Sequence, residues 1–260
     1  MTCTPIEWTA CTYWRLEQGA LVHSSGRYFS IVGTRSEAQR GVEHVAEQPF
    51  ILQPEIGLLA FLVRRERGGV SVLVQAKSEP GNVDIVQLAP TVQATVSNYT
   101  RVHGGAPTPY LERFVSGAAS ATPVAYSVQS EQGTRFLKKF NRNAVARVDG
   151  AGPDPVSDAW AWCDAGALLT ALRRDFAVNT DARSVLVCAP WGEYCQDREP
   201  FEHGSGGGDF RQALRASYTA RSEGAGSSIA GALAELSRWR RRWTPRTEIV
   251  PLDQLRTWRL

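Results

Sequence analysis

A chain of 260 residues with 43% hydrophobic and 21% charged content holds enough apolar material for a buried core, which excludes a disordered protein. Its formal net charge of +3 is too small for the bulk electrostatics of a nucleic-acid binder, whereas a few local Arg or Lys side chains suffice for a small anionic ligand.

In chain order, residues 1–25 are mixed and aromatic-rich (Trp8, Tyr13, Trp14). Arg27–Gly33 joins β-branched and aromatic residues to a closing glycine and predicts a strand, and Ser36–Ala46 predicts a helix. Leu58–Arg65 and Val70–Lys77 are dense in Leu and Val, and the connection Glu66-Arg67-Gly68-Gly69 suits a β-hairpin. Strand alternation puts Gln75 and Lys77 on one side of the second strand, after which Pro80-Gly81 turns the chain. Asp84–Leu88 predicts a further strand and Pro90–Tyr99 an irregular crossing. A short helix over Tyr110–Ser116 follows the break at Gly104-Gly105-Ala106-Pro107.

Val124–Gln129 and Ala144–Val148 predict strands around a helical stretch, Glu131–Phe140, whose Lys138 and Lys139 suit the negative end of a helix dipole. Asp149–Asp158, rich in Asp, Gly and Pro, is a surface loop and a candidate boundary. Trp160–Phe176 predicts a helix, Ser184–Cys188 a short apolar strand, and His203–Gly208 a flexible connection. Phe210–Ser222 and Ser228–Trp243 predict two more helices. Strands first and helices later make the class α+β, a mixed sheet covered by helices, with a helical C-terminal part over about 208–260.

Five cysteines, with one left over and no Cys-x-x-Cys pair, argue against a disulfide framework and a structural zinc site. The N-terminus lacks a basic region followed by an apolar run, and no stretch approaches the roughly 18 apolar residues of a membrane span. The expectation is a cytoplasmic protein with no membrane and no nucleic-acid partner.

Residues 75–105 break the apolar pattern with a dense polar run. Lys77, Glu79, Gln87, Gln93, Asn98, Tyr99, Arg101 and His103 offer a cation, a carboxylate, amides, a phenol and an imidazole, the inventory of a pocket for a polyhydroxylated anion. Lys77, in phase with Gln75 on a strand of Val and Leu, points to a buried, paired role. Glu79 reads equally as an exposed turn carboxylate and as one held over a pocket by Pro80-Gly81. His103 stands apart by its company, whereas His23, His44 and His203 read as surface or hydrogen-bonding residues, and no spacing suggests a metal.

A second polar cluster is Gln129-Ser-Glu-Gln-Gly133, followed by Arg135, Lys138, Lys139, Asn141, Arg142 and Asn143. It reads as a soluble face or, through the planar fork of Arg142, as a diphosphate clamp. Gly204–Gly208 lacks the Gly-Lys-Ser/Thr ending of a phosphate loop and reads as a linker. Arg238–Trp243 reads as a solvated helix end.

The stretch QAKSEPGNVDIVQLAPTVQATVSNYTRVHGG at 75–105 resembles the signature of the NDP-hexose 2,3-dehydratases of deoxysugar biosynthesis. QPEIG at 53–57, GRYFSIVG at 26–33, QSEQGTRFLKKFNRN at 129–143, NTDARSVLVC at 179–188 and VPLDQLRTW at 250–258 match as well. The family's fold resembles the Nudix superfamily, which implies a mixed sheet sandwiched by helices with a core over about 26–190. No Glu-rich Nudix metal motif is present, since Arg64-Arg65-Glu66-Arg67 is not that pattern. Family members resemble a tandem duplication. The chain is similar to a single repeat over 1–260, closer to the N-terminal one, and the implication is an isologous homodimer.

The implied activity is that of a hydro-lyase: a β-elimination of water from an NDP-4-keto-6-deoxyhexose of the dTDP-4-keto-6-deoxyglucose type. The C3 proton, acidified by the 4-ketone, is abstracted and the C2 hydroxyl departs, with no cofactor and no metal. An NAD(P)H-dependent ketoreductase would take up the unstable product. The resemblance places Lys77, Glu79, Tyr99 and His103 in family motifs, and the chemistry of the elimination then suggests Glu79 or His103 as base, Tyr99 as acid or enolate donor and Lys77 as the cation at the enolate. Gln75, Gln93, Asn98, Arg101 and Gln129 would hold substrate, with Arg142 and Asn143 on the diphosphate. The alternatives are a dehydratase, isomerase or cyclase acting on a carbonyl compound without a nucleotide, and a non-catalytic nucleotide-sugar binding protein.

Overall fold

The computed structural model describes residues 4–7, 10–37, 45–67, 69–101, 104, 106–115, 117, 121–189, 228–242 and 246–258, of Val45 and Tyr99 the backbone alone. Its strands are β1 (Trp14–Glu17), β2 (Ala20–His23), β3 (Ser30–Glu37), β4 (Val45–Leu52), β5 (Gly57–Glu66), β6 (Gly69–Ser78), β7 (Val86–Ala89), β8 (Val92–Ala94), β9 (Thr122–Ser130), β10 (Phe140–Arg147), β11 (Trp160–Asp164) and β12 (Arg246–Val250). The helices are α1 (Val96–Tyr99), α2 (Ala165–Ala171), α3 (Thr180–Leu186) and α4 (Ile229–Arg242). Two compact units result: one from residues up to Glu17, Leu21–Ile31 and Ile51 onward, the other from Gln18–Ala20, Val32–Phe50 and the described residues from 228 on.

The first unit is built on β5 and β6, which are apolar at odd and even positions alike, the pattern of strands covered on both faces. They pair antiparallel, with Leu62 opposite Leu73 and Glu66 opposite Gly69, as the hairpin reading expects. Among the described residues the sheet order is β11-β6-β5-β10-β9, with β7 added to β6 and β8 to β5. β10 runs parallel to β5, placing Asn141 beside Gly57 and Arg147 beside Val63, and the strand pairs β10–β9, β11–β6, β5–β8 and β6–β7 are antiparallel. One face packs Leu59, Phe61, Val63, Val70, Val72 and Val74 against Leu168 of α2 and Ala182, Val185 and Leu186 of α3. The other packs Ala60, Leu62, Leu73 and Val92 against Tyr110, Trp160 and Trp162. Near the N-terminus, Trp14, His23, Tyr28 and Phe29 form an aromatic cluster in which the His23 and Tyr28 rings lie 4.5 Å apart.

β5 and β6 do not stay together. Above Leu62 and Leu73 the strands part, and the hydroxyl of fully buried Thr91 fills the gap, accepting from Leu62 N at 2.9 Å and donating to Leu73 O. β8 then takes over as the partner of β5, with Val92 opposite Ala60 and Gln93 opposite Leu59, while β7 pairs with the end of β6, Gln87 opposite Lys77. This splay opens one end of the sheet, and polar side chains from β6, β8 and β10 line the opening.

Several expected elements take another form. Ser36 and Glu37 belong to β3 and Ala46 to β4, so the expected 36–46 helix is absent at both ends, and 38–44 lie outside the described residues. Pairing with β12 decides the matter, Ser36 standing opposite Thr247 and Glu37 opposite Arg246. Glu131–Phe140 is a turn leading into β10 rather than a helix, fastened by Glu131 N to Lys139 O at 3.0 Å and by Phe136 bridging Ile51. Trp160–Asp164 is a strand paired with β6, and the helix begins only where the Asp164 carboxylate caps it, accepting from Ala167 N at 2.9 Å. Ser184–Cys188 is helical over Ser184–Leu186, because Asn179 caps α3 and Ala182, Val185 and Leu186, three and four apart, share its buried face. Tyr110–Ser116 holds a single 3₁₀ turn, Leu111–Arg113.

The loop at 149–158 lies inside the first unit and is no boundary: Tyr110 Oη donates to Asp154 O and accepts from Val156 N, and Trp162 Nε1 donates to Pro153 O. In the second unit β12 pairs antiparallel with β3 from Val250 opposite Gly33 to Arg246 opposite Glu37, and β4 pairs with β3. A Cβ at Gly33 would stand 2.6 Å from Val250 O, so only glycine fits there. Glu47 ties this unit together, its carboxylate accepting from Arg35 Nε at 2.8 Å and Arg256 N at 2.9 Å. α4 is amphipathic with no buried residue, and Leu233, Leu236 and Trp239 are exposed. The expected connection at 203–208 and helix at 210–222 lie outside the described residues.

Candidate active site

The splayed end of the sheet forms a polar cavity of about 360 Å³. β6 and the turn after it contribute Lys77, Glu79 and Asn82; β8 and the residues after it contribute Gln93, Thr95 and Asn98; the turn before β10 contributes Glu131 and Lys139; β10 contributes Asn141; and the start of α3 contributes Asn179 and Asp181.

A hydrogen-bond network fixes much of this wall. The Glu79 carboxylate accepts from Gln93 Nε2 at 2.7 Å, Asn82 Nδ2 at 3.0 Å and Asn179 Nδ2 at 3.2 Å. Asn179 Nδ2 also donates to Gln93 Oε1 at 3.0 Å, while Asn179 Oδ1 caps α3 by accepting from Ala182 N at 2.8 Å. One buried side chain therefore ties the helix start to the carboxylate. Across the cavity Glu131 Oε2 accepts from Asn141 Nδ2 at 2.7 Å and Oε1 from Gln132 N at 3.3 Å. Glu55 braces the rim, its carboxylate accepting from Ser97 N and Oγ on α1 and its carbonyl oxygen from Lys139 Nζ.

Two ammonium groups and three carboxylates thus share a half-enclosed space. Burial pushes the Lys77 and Lys139 ammoniums below the ordinary lysine value, with nearby carboxylates opposing. Burial first, then the Glu131 and Glu79 charges, pushes Asp181 up to about 6, against the pull of Lys77 and Lys139. Among the described residues the Asp181 carboxylate accepts no hydrogen bond.

The family model for NDP-hexose 2,3-dehydratase matches residues 1–189. The chain belongs to the NDP-hexose 2,3-dehydratase family. Proteins named dTDP-4-dehydro-6-deoxy-alpha-D-glucopyranose 2,3-dehydratase match it at 37% identity in Saccharopolyspora spinosa, over 92% of this chain and 47% of that protein, and at 42% in Streptomyces violaceoruber, over 73% and 42%. A third from Amycolatopsis orientalis is 39% identical over 66% of this chain and 37% of its own length. The chain spans less than half the length of these relatives. Among solved structures, a chain from the crystal structure of the complex between the C-terminal domain of mouse MUTYH and human PCNA aligns with 52% of this chain and 87% of its own at 14% identity and a TM-score of 0.34.

Within this NDP-hexose 2,3-dehydratase family member the cavity brings together Lys77, Glu79, Gln93 and Asn98 of the residues singled out in the sequence. Tyr99 lies on α1 directly after Asn98, and His103 lies outside the described residues. Gln75 does not share the cavity with Lys77. Arg101 is exposed with φ of 54°, and its side chain is not on the cavity wall. Arg142 and Asn143 do not converge on one ligand, because neighbours on a strand point to opposite faces. Arg142 lines a second cavity of about 730 Å³ with Leu58, Phe114 and Tyr126, while Asn143 is buried with Nδ2 donating to Ser184 O at 3.3 Å. Gln129 donates to Cys188 Sγ at 2.8 Å and Ser127 Oγ at 3.3 Å.

Sequence reasoning assigned no site role to Glu131, Lys139, Asn141, Asn179 or Asp181. The first three sit in the polar cluster that was noticed, and the other two in the NTDAR motif, whose Asn-Thr-Asp start is itself a helix-cap signal. Among the described residues no group of three or more His, Cys, Asp or Glu side chains is arranged to hold a metal ion, and no helix is long and apolar enough to cross a membrane.

Proposed function

We propose that the chain removes water from an NDP-4-keto-6-deoxyhexose by β-elimination, losing the C3 proton and the C2 hydroxyl. The observation that carries this reading is the convergence of Lys77, Glu79, Gln93 and Asn98 on one polar cavity in a member of the NDP-hexose 2,3-dehydratase family. A 4-ketone acidifies the neighbouring C3 proton and accepts the electron pair as an enolate, so the reaction needs a base at C3, a positive or hydrogen-donating group at the C4 oxygen, and a proton for the leaving hydroxide. The Lys77 ammonium, half-buried and held to Gln93 O at 3.2 Å, supplies charge where the enolate forms. We assign the amide groups of Gln93 and Asn98 to sugar hydroxyls, and Glu79, fixed by three amide donors, sets the position of Gln93. Tyr99, next to Asn98, serves as donor to the enolate oxygen or the leaving hydroxyl, and His103 completes the acid–base set.

The curated relatives act, by name, on dTDP-4-dehydro-6-deoxy-α-D-glucopyranose, and we take this as the substrate. The rest of the reading is a cytoplasmic homodimer whose product passes to an NAD(P)H-dependent ketoreductase. The parallel β5–β10 pair within an otherwise antiparallel sheet, with α2 and α3 on one face, supports a Nudix-like organisation of a single repeat. Incubation of the chain with dTDP-4-keto-6-deoxyglucose, NADPH and a 3-ketoreductase is expected to consume NADPH and give a sugar lacking its 2-hydroxyl, identified by mass. Unchanged substrate, together with no rise in melting temperature at dTDP concentrations far above a typical Kd, would remove the nucleotide-sugar reading.

A further inference from the structure

Among the described residues three carboxylates face the cavity, and their surroundings differ in a way that separates their roles. Both oxygens of Glu79 are occupied, Oε1 by Gln93 and Oε2 by Asn82 and Asn179. Both oxygens of Glu131 are occupied as well, by Asn141 and Gln132 N. A carboxylate whose oxygens already accept such bonds must break them to turn a lone pair on a C–H bond. Asp181 lines the same cavity, half-buried, and among the described residues its oxygens accept nothing.

Resting on the elimination reading above, we infer that Asp181 is the catalytic residue that takes the C3 proton of the bound keto sugar. In that step the C3–H bond breaks, the proton goes to a carboxylate oxygen of Asp181, and the electron pair forms the C3–C4 double bond of an enolate whose oxygen faces the Lys77 ammonium. The C2–O bond then breaks, the enolate pair forming the C2–C3 double bond and restoring the ketone. The departing hydroxide takes the proton held by Asp181 and leaves as water, so the carboxylate is regenerated without any added oxidant or reductant.

Among the described residues, charges of both signs act on Asp181. Glu79 from the turn after β6 and Glu131 from the turn before β10 favour its neutral form, while Lys77 from β6 and Lys139 favour the anion. The balance places its titration at about 6, where the carboxylate is mostly ionised at neutral pH yet basic enough to accept a proton in the transition state. Glu79, bonded to Asn179 on the cap of the same helix, is then a positioning residue rather than the base.

The test is the pH dependence of turnover of dTDP-4-keto-6-deoxyglucose by the full chain and two variants. Asp181→Asn keeps the shape, and is expected to lower kcat by about 100-fold or more with KM within a few-fold, and to abolish the acid limb of the kcat/KM profile near pH 6. Asp181→Glu is expected to keep part of the activity and that limb, and circular dichroism melts establish that both variants fold. Turnover of Asp181→Asn within about 3-fold of the parent, or an unchanged acid limb, overturns the inference while leaving the elimination reading in place. No turnover by the folded parent chain overturns the elimination reading and this inference with it.

Discussion

Asn179 shows how one side chain can belong both to a helix start and to the wall of a cavity. Its carbonyl caps α3 and its amide donates to Glu79 and Gln93, so the start of the helix and the wall of the cavity are set by the same buried group. Asp181, two residues on, has the opposite character, since the fold holds it where its charged form is disfavoured. Its folded-state value of about 6 lies above the ordinary 3.8, so the folded chain binds more protons than the unfolded one between those values. Stability from this group is therefore present below about pH 4 and lost as pH rises through about 6. Asp181→Asn removes that loss. After allowance for partial exposure, the variant should be more stable than the parent by about 1–2 kcal/mol at pH 7.5 and nearly equal to it at pH 4. Urea denaturation at the two pH values measures this, and an equal effect at both would show that the group is not perturbed by folding.

At the scale of elements, the site exists because two strands of a hairpin separate. Thr91 holds the parting by accepting from Leu62 N and donating to Leu73 O. Thr91→Val has the same shape but leaves a buried donor and a buried acceptor unpaired, and should cost about 2–4 kcal/mol in chemical denaturation. A loss under about 0.5 kcal/mol would mean that water or a local shift replaces the hydroxyl. Pairing also explains why the stretch around Ser36 is a strand despite its helical composition: local propensity is worth tenths of a kcal/mol per residue, less than a full ladder to β12 supplies. The helix over Ser184–Leu186 was legible in principle, since a capping Asn at 179 precedes apolar residues three and four apart. The short apolar run alone does not distinguish helix from strand.

At the scale of the molecule, two compact units are each closed by long-range pairing, the second by residues near 33–37, 47 and 246–258. The proposed homodimer belongs to this scale. Light scattering should give a mass twice the 28.5 kDa of the chain at micromolar concentration, and a mass of one chain would remove that part of the reading.

The central hairpin, the α+β class, the family and the concentration of polar groups at 75–105 were all readable from residue order, because strand alternation, turn chemistry and motif content are local properties. Lys77, Glu79, Gln93 and Asn98 were found that way, and all four line the cavity. Only the tertiary structure decided which other residues join them. Asn179 and Asp181 lie about 100 positions from Glu79 along the chain and meet it through a helix packed on the sheet. Arg142 and Asn143, adjacent in sequence, are parted by the alternation of β10. The physical reason is that side-chain direction and long-range contact follow from strand register and packing, and neither is a property of any short stretch of sequence.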